Sequence, residues 1–164
     1  MELSLDVRVL MNPIEEIKVP ADAITQWQQD GEFDDTALDI ASLKIPYLHG
    51  RYLRYLSDAR LRSKRLYFEK RKLDQTLRNY YLGNLNDPKV LASINRPPML
   101  QRYLKSDLAN AIDADEEMLS LDGRLVVADE TVSVLEEILK NINARGFQIK
   151  NAIEWRRLTN FSPL

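Results

Sequence analysis

From Leu38 to Tyr80 a single register, stepping alternately by four and three residues, reads Leu38, Ser42, Ile45, His49, Tyr52, Leu56, Ala59, Ser63, Leu66, Lys70, Leu73, Leu77 and Tyr80. Nine of these thirteen positions are apolar or aromatic, a spacing that lines up on one side of a helix and scatters over both faces of a strand. Ala41, Leu48, Tyr55 and Leu82 widen the stripe on one side. A 3.5-residue repeat of this length predicts one long amphipathic helix, over about residues 34–83, that wants a partner helix. Asp34, Asp35 and Thr36 offer N-cap oxygens at its start, and Gly83 followed by Asn84 ends it. Pro46 removes a backbone donor and disfavours helical geometry at Ile45, so a kink or a junction of two helices is expected there.

The same segment concentrates charge. Between Arg51 and Arg78 lie ten of the twenty-three basic residues against Asp58, Glu69 and Asp74, a local +7 in a chain whose total is −2. A mildly acidic protein with one basic block aims that block at a polyanion, most often phosphate backbone, because Lys and Arg release condensed counterions on binding it. Charge alone is equally compatible with a solvated helix face. Tyr67, Phe68, Tyr80 and Tyr81 are interleaved with the cations, and stacking on aromatics beside a cationic track is how sequence-tolerant single-strand binders work. Tyr80 lies on the apolar stripe, where core packing is the favoured role.

The rest of the chain divides into a 1–33 extension, an 84–98 connector and a 99–164 region expected to be helical and to carry oligomerisation. In the extension, alternating Leu3, Leu5, Val7 and Val9 read as a short strand or extended arm, and residues 21–29 as a short helix carrying Ile24 and Trp27. Asn86-Asp87-Pro88 and Arg96-Pro97-Pro98 mark the connector as turns or loop without regular helix. Residues 99–112 have helical spacing at Leu100, Tyr103, Leu104, Leu108 and Ile112, and Asp113, Asp115, Glu116 and Glu117 read as the solvated first turn of a following helix. Asp122-Gly123 is a hairpin signal. Against it, a four-three spacing through Leu125, Ala128, Val132, Leu135, Leu139, Ile142, Gly146, Ile149 and Ile153 favours a helix starting just after Asp122. Gly146 on that register is either a C-cap or a site of close helix approach. Val134 and Ile138 add a second row, so Val134, Leu135, Ile138, Leu139 and Ile142 form a face wider than one partner requires. Self-assembly through that face is expected, with an intramolecular bundle as a comparable alternative, and the fold class is all-α.

Several chemistries are excluded on composition. The chain has no cysteine, which removes disulfides, thiolate catalysis and the common zinc sites together. No apolar run approaches eighteen residues and no targeting segment is legible, so a soluble protein without a membrane partner is expected. His49, the single histidine, sits on the stripe, where a structural role outweighs one as general base or ligand. Glycine-rich phosphate loops, nucleophile elbows and two-histidine metal helices are missing from the sequence. No catalytic residue, metal or cofactor is expected, and the chain does not read as an enzyme.

Residues 34–83 and 106–146 resemble the UvsY family of myophage recombination mediators. The resemblance rests on the Tyr80-Tyr81 pair with Gly83 closing the long helix, on Ala114-Asp115, and on Arg145-Gly146-Phe147 followed by Ile149-Lys150. Each motif is weak alone; at matched spacing over both stretches they are specific. The N-terminal extension and the connector, longer here, fall outside it. The resemblance implies a non-enzymatic, all-helical protein that assembles into a closed homo-oligomeric ring, heptameric in the family. It further implies that the protein binds single-stranded DNA and helps load a RecA-like recombinase onto strands covered by single-strand-binding protein. Such a protein works in the cytoplasm of an infected host cell.

One departure matters. The family's basic pair just before the Tyr-Tyr falls here on Gln75 and Leu77, which cannot meet phosphate. Charge persists at Lys70 and Arg71 and is supplemented by Lys72 and Arg78, so the expected phosphate contacts are Arg65, Lys70, Arg71, Lys72 and Arg78, with Lys64 as a further candidate. Lys70, on the stripe, can instead snorkel from a packed seam. The group Lys150, Trp155, Arg156 and Arg157 is next in line. The rival reading is a coiled-coil scaffold that pairs its basic helix with acidic helices and binds no DNA; a duplex binder would need groove-entering elements that nothing in the sequence suggests.

Overall fold

The six-heptad stripe folds as one helix. The computed structural model describes residues 23–32 and 36–160, so the alternating Leu3–Val9 segment and the capping candidates Asp34 and Asp35 lie outside the described residues. Secondary structure among the described residues is helical throughout: α1 (Ala23–Gly31), α2 (Leu38–Tyr81), α3 (Pro88–Ser93), α4 (Leu108–Asp113) and α5 (Glu116–Asn160). Of the thirteen stripe positions on α2, all but Ser42 are buried or half-buried. Pro46 is exposed and α2 continues through it, so of the two expected outcomes, a kink or a junction of two helices, the junction is not formed. A proline inside a helix costs about 3 kcal/mol, and the packing of Ala41, Ile45 and Leu48 around this turn offsets it.

The end of α2 is fixed by its backbone. Gly83 adopts φ 72°, its N–H donates to the Tyr80 carbonyl at 2.9 Å, and the Asn84 N–H donates to the Asn79 carbonyl at 2.9 Å. These are the two bonds of a Schellman termination. A Cβ at Gly83 would also lie 2.7 Å from Arg102 Nε and 2.9 Å from its Cγ, so both conformation and space demand glycine.

The described residues group into two compact units, one of those up to Ala59 with those from Thr131 onward, the other Arg60–Glu130, with α2 and α5 contributing to each. In the first unit Leu48, Tyr52, Leu56 and Ala59 of α2 pack against Leu135, Ile138, Leu139 and Ile142 of α5, closed by Ala23 and partly buried Trp27 of α1. Leu38 and Ala41 meet Ile149 in a second cluster, so the two helices run antiparallel within this unit. The wide face that the sequence assigns to self-assembly is thus occupied inside the chain. Leu135 and Ile142 are fully buried, Ile138 and Leu139 nearly so, and Val134 is half-buried against the same core. This is the intramolecular alternative, with the apolar stripe of α2 as the partner.

In the second unit Leu66 packs on Leu121 and Ala128, and Leu77 on Leu108, Ile112 and Met118, with Leu73 reaching both clusters. Here the structure departs from sequence expectation three times. The connector contains α3, because Pro88 at the first helical position lacks only a donor that a first turn leaves unpaired, and the Asp87 carboxylate accepts the Lys89 N–H at 2.8 Å. Residues 99–107 are not helical. The Tyr103 N–H instead donates to the Tyr81 carbonyl at 3.1 Å and the Arg102 side chain lies over Gly83, which leaves Leu100 and Leu104 exposed. α5 begins at Glu116, not after Asp122, and runs through Gly123 and Gly146. A Cβ at either glycine would meet nothing within 4 Å, so Gly146 is neither a cap nor a point of close approach within this chain.

Candidate nucleic-acid interface

On the Arg60–Arg78 part of α2, Leu66 and Leu77 face the core. Leu61, Lys64, Phe68, Arg71 and Gln75 follow one another at steps of three and four on the opposite side, and all are exposed. Arg65 and Lys72 flank this row on one side, Tyr67 on the other. Tyr67 and Phe68, 50% and 58% exposed, meet edge to face with centroids 6.4 Å apart. The two rings stand beside the exposed cations of this stretch.

The six cations singled out by sequence separate into two groups. Lys64, Arg65, Arg71 and Lys72 are exposed, while the ion pairs of this stretch among the described residues fall on other cations. Lys70 Nζ lies 2.6 Å from Asp122 Oδ1 with both side chains partly covered, which is the snorkelling outcome. Arg78 forks onto Asp74, Nε to Oδ2 at 2.7 Å and Nη2 to Oδ1 at 3.1 Å; that hydrogen bond raises its pKa and its charge is locally matched. Lys64, Phe68 and Arg71 therefore share one open face, with Arg65 and Lys72 on one flank of it and Tyr67 on the other. Leu61, which the sequence reading passed over, belongs to it; its i, i+3, i+7 spacing with Lys64 and Phe68 was the available signal. Gln75 lies on this face without charge, and Leu77 is buried. Of the C-terminal group, Lys150 lies 3.8 Å from Glu154, and Trp155, Arg156 and Arg157 are exposed on α5.

Tyr80 and Tyr81 do structural work instead. The Tyr80 hydroxyl donates to the Pro97 carbonyl at 2.9 Å, and Arg96 lies over its ring at 5.5 Å. Arg96 donates to both Asp115 oxygens, at 2.6 and 2.8 Å, and to Glu117 at 3.1 Å. The Tyr81 hydroxyl donates to Asp115 at 2.6 Å, and Asp115 accepts the Glu117 N–H at 3.0 Å as the N-cap of α5. Asp115 is therefore no solvated first-turn residue: its side chain is 3% exposed, tying the end of α2 to the start of α5. The Arg96 hydrogen bonds, and then that of Tyr81, hold its carboxyl at about 2 against burial, while burial and the bond to Asp115 push Tyr81 up to about 12.

A carboxyl held below its ordinary value contributes stability that is present above about pH 4 and lost as pH falls toward 2. The gap corresponds to about 2 kcal/mol. Asp115→Asn keeps the capping oxygen but removes the buried carboxylate that Arg96 grips and leaves it only the exposed Glu117, so it is expected to lower unfolding free energy by about 2–4 kcal/mol at pH 7. The difference between variant and parent should vanish near pH 2. Chemical denaturation across that range checks it, and a difference that is constant with pH would contradict it.

Half-buried His49 stands alone, and no group of three His, Asp or Glu able to hold a metal occurs among the described residues. No helix among the described residues is long and apolar enough to cross a membrane.

Residues 26–161 match the sequence model of a family described as "Recombination, repair and ssDNA binding protein UvsY". No curated protein sequence matches the chain. Crystal structures of the bacteriophage T4 recombination mediator protein UvsY share the fold in three lattice types. Type I superposes with TM-score 0.71 at 21% identity, covering 82% of this chain and 96% of its own. Type II gives 0.68 at 21%, covering 83% and 93%, and type IV gives 0.71 at 20%, covering 82% and 94%.

Proposed function

This chain belongs to the UvsY family, and from that premise we propose that it is a recombination mediator that grips single-stranded DNA with the outer face of α2. Lys64, Arg65, Arg71 and Lys72 meet phosphates while Tyr67 and Phe68 stack bases. The observation that carries the reading is an exposed aromatic pair, Tyr67 and Phe68, set among four exposed cations on the solvent side of α2. Sequence-tolerant binders of single strands combine the same two elements.

In this reading the protein assembles into a closed homo-oligomeric ring, with seven subunits expected from the family. The ring presents the strand to a RecA-like recombinase and displaces or remodels the single-strand-binding protein, in the cytoplasm of an infected cell. Because the Leu135–Ile142 face is filled within the chain, we place subunit contacts on the outward row of α5 formed by Phe147, Trp155 and Leu158, all exposed. Steps of eight and three keep these three on one side of the helix. No catalytic step is required of the chain; its contribution is differential binding.

The test is retention of a single-stranded oligonucleotide against its duplex over a salt series. Four phosphates per protomer predict that log K falls against log salt with a slope of roughly −3 for each protomer engaged, and that the single strand is preferred. Salt-independent retention, or none, would leave the coiled-coil scaffold as the better reading.

A further inference from the structure

We infer that α2 carries a second nucleobase-binding site, separate from the basic face, in a notch at Gly50. The inference rests on the single-strand reading above and adds a ligand contact on the part of α2 that belongs to the first unit. The notch has a volume of about 340 Å³ and is lined by Pro46, Tyr47, Gly50, Arg51, Arg54 and Tyr55.

Its floor exists because position 50 lacks a side chain. A Cβ there would meet nothing within 4 Å, so glycine answers no packing demand within this chain, and it weakens a helix relative to alanine. What it provides is a flat, uncovered stretch of helix backbone. Tyr47, 65% exposed, stands one turn before it, and Arg54, also exposed, one turn after. Residues 47, 50 and 54 follow at steps of three and four and share one face.

The Tyr47 ring is held in place. Arg51 Nη2 donates to its hydroxyl at 2.9 Å, and the guanidinium carbon lies 5.0 Å from its centroid. Arg51 is itself anchored by two bonds of 2.8 Å from Nη1 to the Asp30 carboxylate. An exposed tyrosine ordinarily loses rotamer freedom when a ring stacks on it; here the two contacts from Arg51 supply part of that ordering beforehand. Asp30 offsets the charge of Arg51, which leaves the Arg54 guanidinium to meet an anion. A planar ring over Gly50, against Tyr47, with its attached phosphate at Arg54, satisfies all three groups. The ligand class is therefore a nucleotide unit of a single strand, read without base preference because every base offers a π-face.

Gly50→Leu fills the notch without removing any contact and improves helix propensity, so the fold is retained. Tyr47→Ala removes the stacking ring. The full-length protein is titrated with an oligothymidylate and with an abasic strand of equal length. Each variant is expected to bind oligothymidylate roughly tenfold more weakly than the parent, with an unchanged salt slope and unchanged affinity for the abasic strand. Gly50→Leu binding oligothymidylate as the parent does, or either variant weakening both strands equally, overturns the notch and leaves the basic face standing. A parent that retains neither strand overturns the single-strand reading and the notch with it.

Discussion

Lys64, Arg71 and Lys72 replaced together by alanine are expected to lower single-stranded DNA affinity at least about a hundredfold at moderate salt, with a shallower salt slope. Three of the four exposed cations around the aromatic pair would be gone, and with them the counterion release that drives binding. The fold should remain, because alanine is the better helix former and none of these side chains is buried. Circular dichroism and the melting transition should match the parent. Lys70→Ala serves as the contrast. Its ammonium faces Asp122, so it is expected to cost little DNA affinity although it lies beside Arg71 in sequence. If Lys70→Ala weakens binding as much as the triple variant, the partition of the cations by their ion pairs is mistaken.

Changing Leu135 to alanine is expected to destabilise the monomer itself by about 2–5 kcal/mol, the range for a fully buried leucine. Adding Leu139→Ala, one turn on in the same cluster, should bring many molecules close to unfolding, since total stabilities are about 5–15 kcal/mol. The two effects need not add, because the residues share neighbours. The pair Phe147→Ser with Trp155→Ser provides the opposite case. Both side chains are exposed, so helicity and melting should persist while the assembled mass falls, measured by light scattering. A Leu135 and Leu139 double variant that melts like the parent but loses mass would return the subunit contact to the wide α5 face.

The contrast between these two apolar rows shows where sequence reading ends. The width of the Val134–Ile142 face was legible, and so was its need for burial. Which partner buries it was not, because a hydrophobic stripe carries no label of the chain it will meet; α2, with its own six-heptad stripe, was available at intramolecular concentration. The same holds for the cations. Composition located the basic block, but Lys70 and Lys72 differ by two residues in sequence and by about half a helix circumference in direction, and only the position of Asp122 makes one an internal partner and leaves the other open.

The sequence by itself determined the helices with long periodic stripes, the glycine stop at residue 83, the absence of cysteine chemistry and the place of the charge, since these follow from local periodicity, backbone conformation and residue type. Tertiary structure decided the fate of everything with a competing option. Residues 99–107 had helical spacing, yet the backbone bond from Tyr103 to Tyr81 and the seat of Arg102 on Gly83 hold them out of a helix. Asp122-Gly123 had a turn signal, yet burial of Leu121 and Ala128 on either side carries α5 through it. Asp115 read as a solvated end, yet Arg96 and Tyr81, distant in sequence, enclose it. In each case a local preference of about 1 kcal/mol or less gave way to long-range burial and charge pairing, whose partners are far along the chain and become neighbours only when it folds.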